Sequence, residues 1–432
     1  MGISVIGGSA GGGAALPQGT SAFLNRTSGT GALTLPALSS GTRYAIKVNQ
    51  GKGMVRLTAS NEDFYPDENG WIYFTPTSAE TTAKLLPVWN EVYRTQATGG
   101  QTYSSMQCNG AIVNYDGSVS LQVSWQKYSG GNWYGMHRVS RDGNQSGARV
   151  FSSSTPIYYP LAVNRSGRTL MADTNGTAWY STAEDGVFQQ NGNVGYTGTN
   201  YYPTNTVYAN NGRYAYSFAM RQSNQSIIFY QNGSESSWTF QGSGVSNAPT
   251  IAYMDKARDK VITAHYNYTY IHTGPLSGPF NSGFNFPAAV YGVGYDKTRG
   301  VLLAQRSSGT TTWYFTDDFG ANVTTITANT GRYFNNVLHL GGTCWLGLVK
   351  DDGAGMISYD DGANWEQAPD GMKTTMSDKG LDYQNLLAPT NRDNEFVVVG
   401  NSDGAEVSYQ AGYFVAYLGG EMSYELYEAA DS

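Results

Sequence analysis

"MISYDDGANWEQAP", residues 356–369, places an acidic turn between two short strand-like runs. The turn carries Ser358, Asp360, Gly362 and Trp365. An aspartate in such a turn accepts hydrogen bonds from nearby backbone N–H groups, and a glycine supplies the positive φ angle needed to reverse the chain. We therefore predict a β-hairpin in which Asp360 and Trp365 are structural rather than catalytic.

The same pattern recurs earlier in the chain. "WYFTDDFGANVTT" (313–325) has Thr316, Asp318 and Gly320 at the corresponding positions, and "WYSTAEDGVFQQ" (179–190) is a more degraded copy. A hairpin that returns at corresponding positions of a repeat indicates architecture more strongly than chemistry.

The repeat covers most of the chain. Tyr-Tyr-Pro steps begin at Tyr158 and Tyr201, and the prolines at 160, 203, 249 and 287 are 43, 46 and 38 residues apart. Each unit contains four short strands, which at this period is typical of a β-propeller. We count seven units, with six or eight blades as alternatives, at about 103–150, 157–192, 201–242, 248–284, 287–327, 332–370 and 383–418.

The first hundred residues follow another pattern. Residues 31–59 contain three strand-like runs separated by glycine turns, and "WIYFTP" (71–76) adds a fourth. "SAETTAKLLPVWNEVYR" (78–94) opens on a capping pattern and predicts a short helix that Pro87 ends or kinks. The predicted fold class is all-β, a small β module with a short helix followed by a propeller. The expected divisions are a Gly-rich arm (1–20), a β-rich module (21–98), a linker (99–102), the propeller (103–420) and a C-terminal tail (421–432).

Composition excludes several classes of function. The net charge of −7 is spread without blocks of like charge, so we expect no nucleic-acid partner. No apolar run approaches the length of a membrane span, so we expect no membrane insertion. The 4 histidines and 2 cysteines lack metal-ligand spacing, and no nucleotide-binding fingerprint has the right context, so we predict no metal, no cofactor and no catalytic residue.

Tyrosines are the candidate ligand-binding residues. Exposed tyrosine rings stack on sugar faces and offer a hydroxyl to sugar hydroxyls. Several tyrosines are expected where the connections between units lead into the first strand, all on one face of a propeller. Packing between neighbouring blades is the competing explanation. The predicted binding residues are Tyr158, Tyr159, Tyr201, Tyr202 and Tyr383.

The acidic turns resemble the Asp-box of sialidase-like propellers, S-x-D-x-G-x-x-W. The resemblance implies a propeller over residues 103–418, with the boxes on the blade periphery and away from the active site. Sialidases also carry an Arg-Ile-Pro motif, which is absent here. The resemblance therefore implies the fold and not the chemistry.

A second resemblance lies in the amino-terminal module. Leu33-Thr-Leu-Pro36, Ser40-Gly41 and Tyr44-Ala-Ile-Lys47 look like a strand, turn and strand of small modules in tailed-bacteriophage tail fibres. This resemblance implies a virion tail protein, assembled in the host cytoplasm as a homotrimer. It would contact other tail proteins through residues 1–98 and a host-surface glycan through the propeller.

Three functions follow as hypotheses. The first is a tail-fibre or receptor-binding protein that binds a host glycan without catalysis. The second is a glycan-degrading enzyme, which needs two or three acidic, tyrosine or histidine groups converging at the mouth of the propeller. The third is a purely structural collar or baseplate protein.

Overall fold

The computed structural model describes part of the chain, with side chains described for fewer residues than the backbone and most continuously between residues 253 and 368. The described residues are 20–29, 32–48, 54–57, 63–64, 71–86, 88–95, 103–113, 119–127, 131–139, 145–151, 158–163, 169–173, 177–181, 188–193, 201–205, 214–221, 226–232, 239–242, 249–255, 257–265, 268–274, 282–350, 354–368, 381–389, 395–402, 411–417 and 422–429.

Every helix or strand element in these residues is a β-strand, and the chain divides into two compact units. The first unit combines Met1–Leu86 with Gly419–Ser432, and the second is Pro87–Leu418. No helix among the described residues is long and apolar enough to cross a membrane. The strands of the first unit are β1 (Thr20–Gly29), β2 (Ala32–Leu38), β3 (Tyr44–Val48), β4 (Met54–Leu57), β5 (Asp63–Phe64), β6 (Trp71–Phe74), β7 (Glu80–Leu86) and β35 (Met422–Ala429).

The strands of the second unit are β8 (Val88–Thr95), β9 (Tyr103–Val113), β10 (Val119–Lys127), β11 (Gly131–Val139), β12 (Gln145–Phe151), β13 (Tyr158–Val163), β14 (Thr169–Asp173), β15 (Thr177–Ser181), β16 (Phe188–Asn193), β17 (Tyr201–Asn205), β18 (Tyr214–Arg221), β19 (Ser226–Asn232), β20 (Thr239–Gly242), β21 (Pro249–Asp255), β22 (Lys260–His265), β23 (Tyr268–Gly274), β24 (Ser282–Asp296), β25 (Val301–Arg306), β26 (Thr312–Thr316), β27 (Thr324–Thr327), β28 (Phe334–Gly341), β29 (Cys344–Val349), β30 (Gly355–Ser358), β31 (Glu366–Gln367), β32 (Leu381–Pro389), β33 (Glu395–Ser402) and β34 (Ala411–Tyr417).

The first unit contains two four-stranded sheets, in the orders β1-β35-β3-β6 and β2-β7-β4-β5. The predicted strands over 31–59 and 71–76 correspond to β2, β3, β4 and β6. The Ser-Gly turn uses Gly41 with φ of 81°, and the backbone N–H of Ser39 donates to the Tyr44 hydroxyl over 2.9 Å. Tyr44, Trp71 and Phe74 are buried beside these strands.

The carboxyl-terminal segment is a central strand and not the tail that the sequence predicted for residues 421–432. β35 pairs antiparallel with β1 on one side and β3 on the other. Its residues 422–426, Met-Ser-Tyr-Glu-Leu, alternate between apolar and polar side chains, which suits a strand. The second unit is therefore inserted, in sequence, between β7 and β35.

The predicted helix over 78–94 is wrong. Residues 80–86 form β7, which pairs with β2 and β4, and residues 88–95 form β8, which pairs with β34. Pro87 separates the two strands, and pairing partners distant in sequence outweigh the local capping pattern. The division between the units consequently lies at Leu86 and Pro87 rather than at the predicted linker 99–102. The predicted arm, residues 1–20, lies outside the described residues except for Thr20 in β1.

The second unit is a series of antiparallel meanders. Five of its sheets have four strands and one has seven. In the seven-stranded sheet β24 is shared, because residues 282–285 and Val290 pair with β23 and residues 290–296 pair with β25. The described strands thus form seven four-stranded groups. We number them in chain order: β9–β12, β13–β16, β17–β20, β21 to the first part of β24, the rest of β24 to β27, β28–β31, and β32–β34 with β8.

The series closes on itself. The first strand of each group lies against the first strand of the next, through β9, β13, β17, β21, β24, β28 and β32, and β32 lies against β9. The last group takes its fourth strand, β8, from the amino-terminal end of the unit. Closed repetition of four-stranded meanders is the architecture of a β-propeller, which leaves few exposed strand edges.

Removing residues 419–432 is expected to unfold the first unit and to spare the propeller. β1 and β3 would lose the strand that they share, whereas the pairing of β8 with β34 would remain. Limited proteolysis with mass mapping checks this prediction. We expect cleavage within residues 20–86 and protection of residues 103–418.

A shorter truncation that removes only residues 430–432 retains β35 and serves as the control. Equal protease resistance of residues 20–86 in both truncations would contradict the assigned role of β35.

Candidate functional site

Strand order gives the propeller two distinct faces. In each antiparallel group the first strand begins, and the second strand ends, on one face, which we call the start face. The turns between first and second strands and between third and fourth strands lie on the opposite face, which we call the turn face. The predicted binding tyrosines belong to the start of a group, and the acidic turns belong to the turn face.

The tyrosines fall at related register positions. Tyr159 pairs with Ala172 and Tyr202 pairs with Met220, in each case the residue before the last of the second strand. Tyr291 has the same position in the fifth group, where it pairs with Gln305. Of the predicted residues, Tyr158 and Tyr159 lie in β13, Tyr201 and Tyr202 in β17 and Tyr383 in β32, and their side chains lie outside the described part.

The start face of the fifth and sixth groups has described side chains. The rings of Tyr291 and Tyr333 meet edge to face, with centroids 5.9 Å apart and an interplanar angle of 78°. The Lys350 ammonium lies 5.3 Å from the centroid of the Tyr291 ring. All three side chains are partly exposed. We call these three residues the Tyr-Lys cluster.

A buried glutamine fixes the backbone beneath this cluster. The Gln305 side-chain amide donates to the carbonyl oxygens of Thr310, over 2.9 Å, and Arg332, over 2.7 Å. Its carbonyl oxygen accepts from the N–H of Phe334 over 2.9 Å. Gln305 is fully buried, so these bonds hold the residues on both sides of Tyr333 in place.

The acidic turn at residues 358–365 is stabilised by hydrogen bonds from its own side chains. Asp360 accepts from the backbone N–H of Asn364 over 2.8 Å and from its side-chain amide over 2.7 Å. The Ser358 hydroxyl donates to Asp360 over 3.0 Å and accepts from the N–H of Gly362 over 2.9 Å. Gly362 has φ of 88°, and a Cβ there would lie 2.9 Å from Leu303 of the preceding group.

Trp365 ties this turn to the core. Its indole N–H donates to the carbonyl of Gly362 over 2.9 Å, and its ring lies 4.9 Å from Trp313 and 4.7 Å from Phe334, centroid to centroid. Trp313 belongs to the fifth group and Phe334 to the sixth, so the hairpin packs into the interface between the groups.

The turn at residues 316–322 repeats these bonds almost atom for atom. Asp318 accepts from the N–H of Asn322 over 2.9 Å and from its side-chain amide over 2.7 Å. The Thr316 hydroxyl donates to Asp318 over 2.8 Å and accepts from the N–H of Gly320 over 2.9 Å. Gly320 has φ of 89°.

Both carboxylates are held in their ionised form. The bonds from Asn322 hold the pKa of Asp318 below its ordinary value of 3.8. Burial raises the pKa of Asp360, but the bonds from Asn364 and Ser358 outweigh that effect and lower it. An ionised carboxylate that already accepts local hydrogen bonds is poorly suited to donate a proton near neutral pH.

An arginine bridges the fifth and sixth groups on the turn face. Arg299 pairs with Asp296, a fully buried carboxylate at the end of β24, over 2.5 Å. The same guanidinium donates two bonds, of 2.8 and 2.6 Å, to Asp361 in the acidic turn of the next group. Asp361 also accepts the indole N–H of Trp345 over 2.8 Å. These hydrogen-bonded ion pairs raise the pKa of Arg299, so it stays charged.

His339 packs against the same buried carboxylate. Its Nδ1 lies 3.3 Å from an Asp296 carboxylate oxygen, and its Nε2 lies 2.9 Å from the carbonyl oxygen of Gly342. Burial lowers the pKa of His339, and the neighbouring Asp296 charge only partly offsets this.

An Asp-Arg ion pair also connects the fourth and fifth groups. Arg258 pairs with Asp255 over 2.7 Å and donates to the carbonyl oxygens of Lys297, over 2.7 Å, and Thr298, over 3.0 Å. Tyr295 donates to Asp255 as well. Burial raises the pKa of Asp255, but the bonds from Tyr295 and Arg258 lower it overall. Asp-x-x-Arg is thus a recurring clasp between neighbouring groups.

The described part of the turn face therefore supplies structure. Each aspartate discussed above is engaged in a turn or an inter-group clasp. No group of three or more His, Cys, Asp or Glu side chains among the described residues could hold a metal ion. The start face, with its partly exposed Tyr-Lys cluster, is the candidate functional site.

Comparison with known proteins assigns neither a family nor a function to this chain. No family model matches the chain, and no curated protein matches it. Similar solved structures include virginiamycin B lyase from Staphylococcus aureus, with 10% identity and a TM-score of 0.47 over 76% of this chain and 99% of that chain. YCF48 bound to D1 peptide has 12% identity and a TM-score of 0.46 over 77% and 97%. Both are β-propeller proteins. At these values neither ligand nor activity is transferable, and the propeller assignment rests on the strand pairing of this chain.

Sequence reasoning missed the residues of the Tyr-Lys cluster. Pro287 had been aligned with Pro160, but Pro160 pairs with Met171 inside the ladder, whereas pairing between β24 and β25 begins only at Val290. Register, rather than proline spacing, shows that Tyr291 is the counterpart of Tyr159. An aromatic residue near the start of a first strand was the available signal.

Asp361→Ala is expected to destabilise the propeller by about 2–4 kcal/mol, because it removes one of the two carboxylates paired with Arg299 and the acceptor of the Trp345 N–H. Asp361→Asn keeps an acceptor for Trp345 and should cost less. Chemical denaturation of both variants checks the order. Equal stability of Asp361→Ala and the unchanged protein would contradict the clasp.

Asp360→Ala is expected to cost about 1 kcal/mol, from the lost turn hydrogen bonds. The folded-state pKa of Asp360 is lowered, so its stabilising contribution is present above pH 3.8 and is lost as the pH falls through the folded-state value. The difference between variant and unchanged protein should therefore vanish in strong acid. Denaturation at neutral and acid pH measures it, with the exposed Asp317→Ala as control. Unchanged stability at neutral pH would contradict the structural role.

Proposed function

We propose that this chain is a tail-fibre or receptor-binding protein of a tailed bacteriophage. In this proposal a seven-bladed propeller binds a host-surface glycan through its start face without cleaving it. The observation that carries the proposal is the partly exposed aromatic cluster on that face, together with tyrosines at equivalent register positions in the second and third groups.

The chemistry of the start face suits a saccharide. Tyrosine offers an apolar ring face for the C–H face of a sugar and a hydroxyl for hydrogen bonding. Tyr291 and Tyr333 present two such rings at right angles, and Gln305 holds the backbone around Tyr333 before any ligand arrives. A site that is ordered in advance loses less entropy on binding.

The proposal of binding without cleavage is supported by the turn face. Asp255, Asp296 and Asp361 serve the clasps, and Asp318 and Asp360 serve the acidic turns. A glycosidase needs two carboxyl groups that face each other across the sugar. These five carboxylates are already engaged within the fold, and we propose that the acidic turns, with their Ser/Thr-x-Asp-x-Gly pattern, have the structural role that the Asp-box resemblance implies.

The first unit supports a role in attachment to the virion. Its strands β2 and β3 carry the residues that resemble tail-fibre modules, and we propose that residues 1–98 contact other tail proteins. A homotrimer would bring three propellers to one host surface. Several weak contacts on one particle raise the overall avidity by orders of magnitude.

Binding of the purified chain to a panel of bacterial strains and to their extracted surface polysaccharides tests the proposal. We expect saturable binding to at least one strain, with the polymer size unchanged after incubation. Shortened polymer would replace the proposal by a glycan-degrading enzyme. Binding to no strain and no polysaccharide would overturn the proposal and favour the collar or baseplate role.

Tyr291→Ala is expected to weaken that binding by about fivefold, because loss of one stacking ring costs on the order of 1 kcal/mol. Tyr359→Ala removes a partly exposed tyrosine from the turn face and serves as the matched control. Surface plasmon resonance on immobilised polysaccharide measures both variants. Equal loss in both would contradict the start face as the binding surface.

A further inference from the structure

We propose that β35 makes the first unit a check on the completeness of the chain. The first unit completes its sheet only after the propeller has been synthesised, because the chain reaches β35 after the whole of Pro87–Leu418. In the proposed function, a chain with an unfinished propeller therefore lacks a folded module for attachment to the virion. That consequence rests on the proposed function, whereas the order of folding does not.

The sheet that contains β35 is incomplete without it. Its strand order is β1-β35-β3-β6, so β35 lies between two strands that are synthesised long before it. It pairs with β1 along its whole length and with β3 over residues 424–428. Before β35 is made, the described strands of this sheet reduce to the pair β3-β6, with β1 alone. Two paired strands are only marginally stable in water, and independent stability needs three or more.

The other sheet of the first unit does not wait for β35. Its order is β2-β7-β4-β5, and all four strands lie within residues 32–86. The two sheets meet where the rings of Phe64 in β5 and Phe74 in β6 lie 5.4 Å apart, centroid to centroid. Phe74 and Tyr44 of β3 are both buried. The early strands can therefore begin this core, but the sheet on one side of it is complete only when β35 joins β1 to β3.

The register of β35 specifies its place in the sheet. Glu425 is opposite Arg26 of β1 and opposite Lys47 of β3. Opposite charges at directly paired positions stabilise a sheet, and like charges there destabilise it. Leu426 is opposite Ile46 of β3, so the next position pairs two apolar residues. A slip of one residue would move every side chain of β35 to the other face of the sheet, so its sequence fits one register.

The order of synthesis turns this topology into a check. Translation proceeds at about 5–20 residues per second, so the propeller takes on the order of half a minute to synthesise. During that time β1 and β3 lack the strand that they share, and unpaired strand edges promote aggregation. A chain that stops within the propeller never acquires β35. We expect such a chain to be removed by proteolysis or aggregation and not to enter a virion.

The full-length variant Leu426→Pro tests the role of β35. Proline removes an N–H from a strand that pairs on both sides, so we expect rapid hydrogen exchange over residues 20–48. Exchange over residues 282–306 of the propeller should be unchanged. Ala430→Pro places the same substitution one residue beyond β35 and serves as the matched control.

A strand supplied in trans tests the register. A synthetic peptide of residues 419–432 should restore slow exchange over residues 20–48 in Leu426→Pro. The same peptide carrying Glu425→Lys should bind about fivefold more weakly, because it places a like charge opposite Arg26 and Lys47. Titration of each peptide, followed by exchange, measures the difference. Equal binding of the two peptides would contradict the register and with it the specific place of β35.

Cell-free synthesis of the full chain with short protease pulses tests the order of folding directly. We expect a resistant fragment from residues 20–86 to appear only together with the full-length product. A resistant fragment of this region in unfinished chains, or slow exchange over residues 20–48 in Leu426→Pro, overturns the completeness check. Rapid exchange over both residues 20–48 and 282–306 in that variant overturns the assignment of β35 to the first unit alone.

These measurements separate the completeness check from the proposed function. None of them involves a glycan or a virion. A chain that binds no cell and no polysaccharide but shows the expected exchange and protease results would overturn the proposed function and leave the folding order established. A chain that binds a polysaccharide but protects residues 20–86 before its synthesis is finished would do the reverse.

Discussion

The Arg299 guanidinium, held between a buried carboxylate of its own group and the acidic turn of the next, is the interaction on which this part of the propeller depends. The two groups share a buried hydrophobic cluster that includes Trp313, Phe334 and Trp365, and the arginine adds a polar contact between them on the turn face. Asp296 orients the arginine and Asp361 receives it. One group earlier, Arg258 pairs with Asp255 in the same way but reaches backbone carbonyl oxygens of the next group instead of a carboxylate.

The turn face and the start face of the propeller differ in how their polar side chains are used. On the turn face, the carboxylates of the clasps and of Asp318 and Asp360 already have partners within the fold. On the start face, the ends of neighbouring groups bring together the partly exposed side chains of Tyr291, Tyr333 and Lys350. Gln305 connects the buried core to the start face. Its side chain is fully buried and fixes the backbone next to Tyr333.

The fold could be predicted from the sequence because the residues that mark each repeat form bonds with neighbours only a few positions away. The bonds that Ser358 and Asp360 form in the turn at 358–365 all lie within eight residues, so their pattern is visible without a structure. The propeller fold was predicted correctly, whereas β8 and β35 were missed. Both strands pair with partners far along the chain. The local sequence of residues 78–94 and 421–432 does not reveal such distant partners. The Tyr-Lys cluster was hidden for the same reason, since Tyr291 and Lys350 meet only when two groups pack.

Hydrogen exchange of the chain with and without a bound host polysaccharide tests the central claim, that the start face is the binding surface, most directly. The account predicts slowed exchange in peptides that contain Tyr291, residues 307–311 and Tyr333, and no change in the acidic turns at 316–322 and 358–365. Protection confined to the acidic turns, with the start face unchanged, would contradict it.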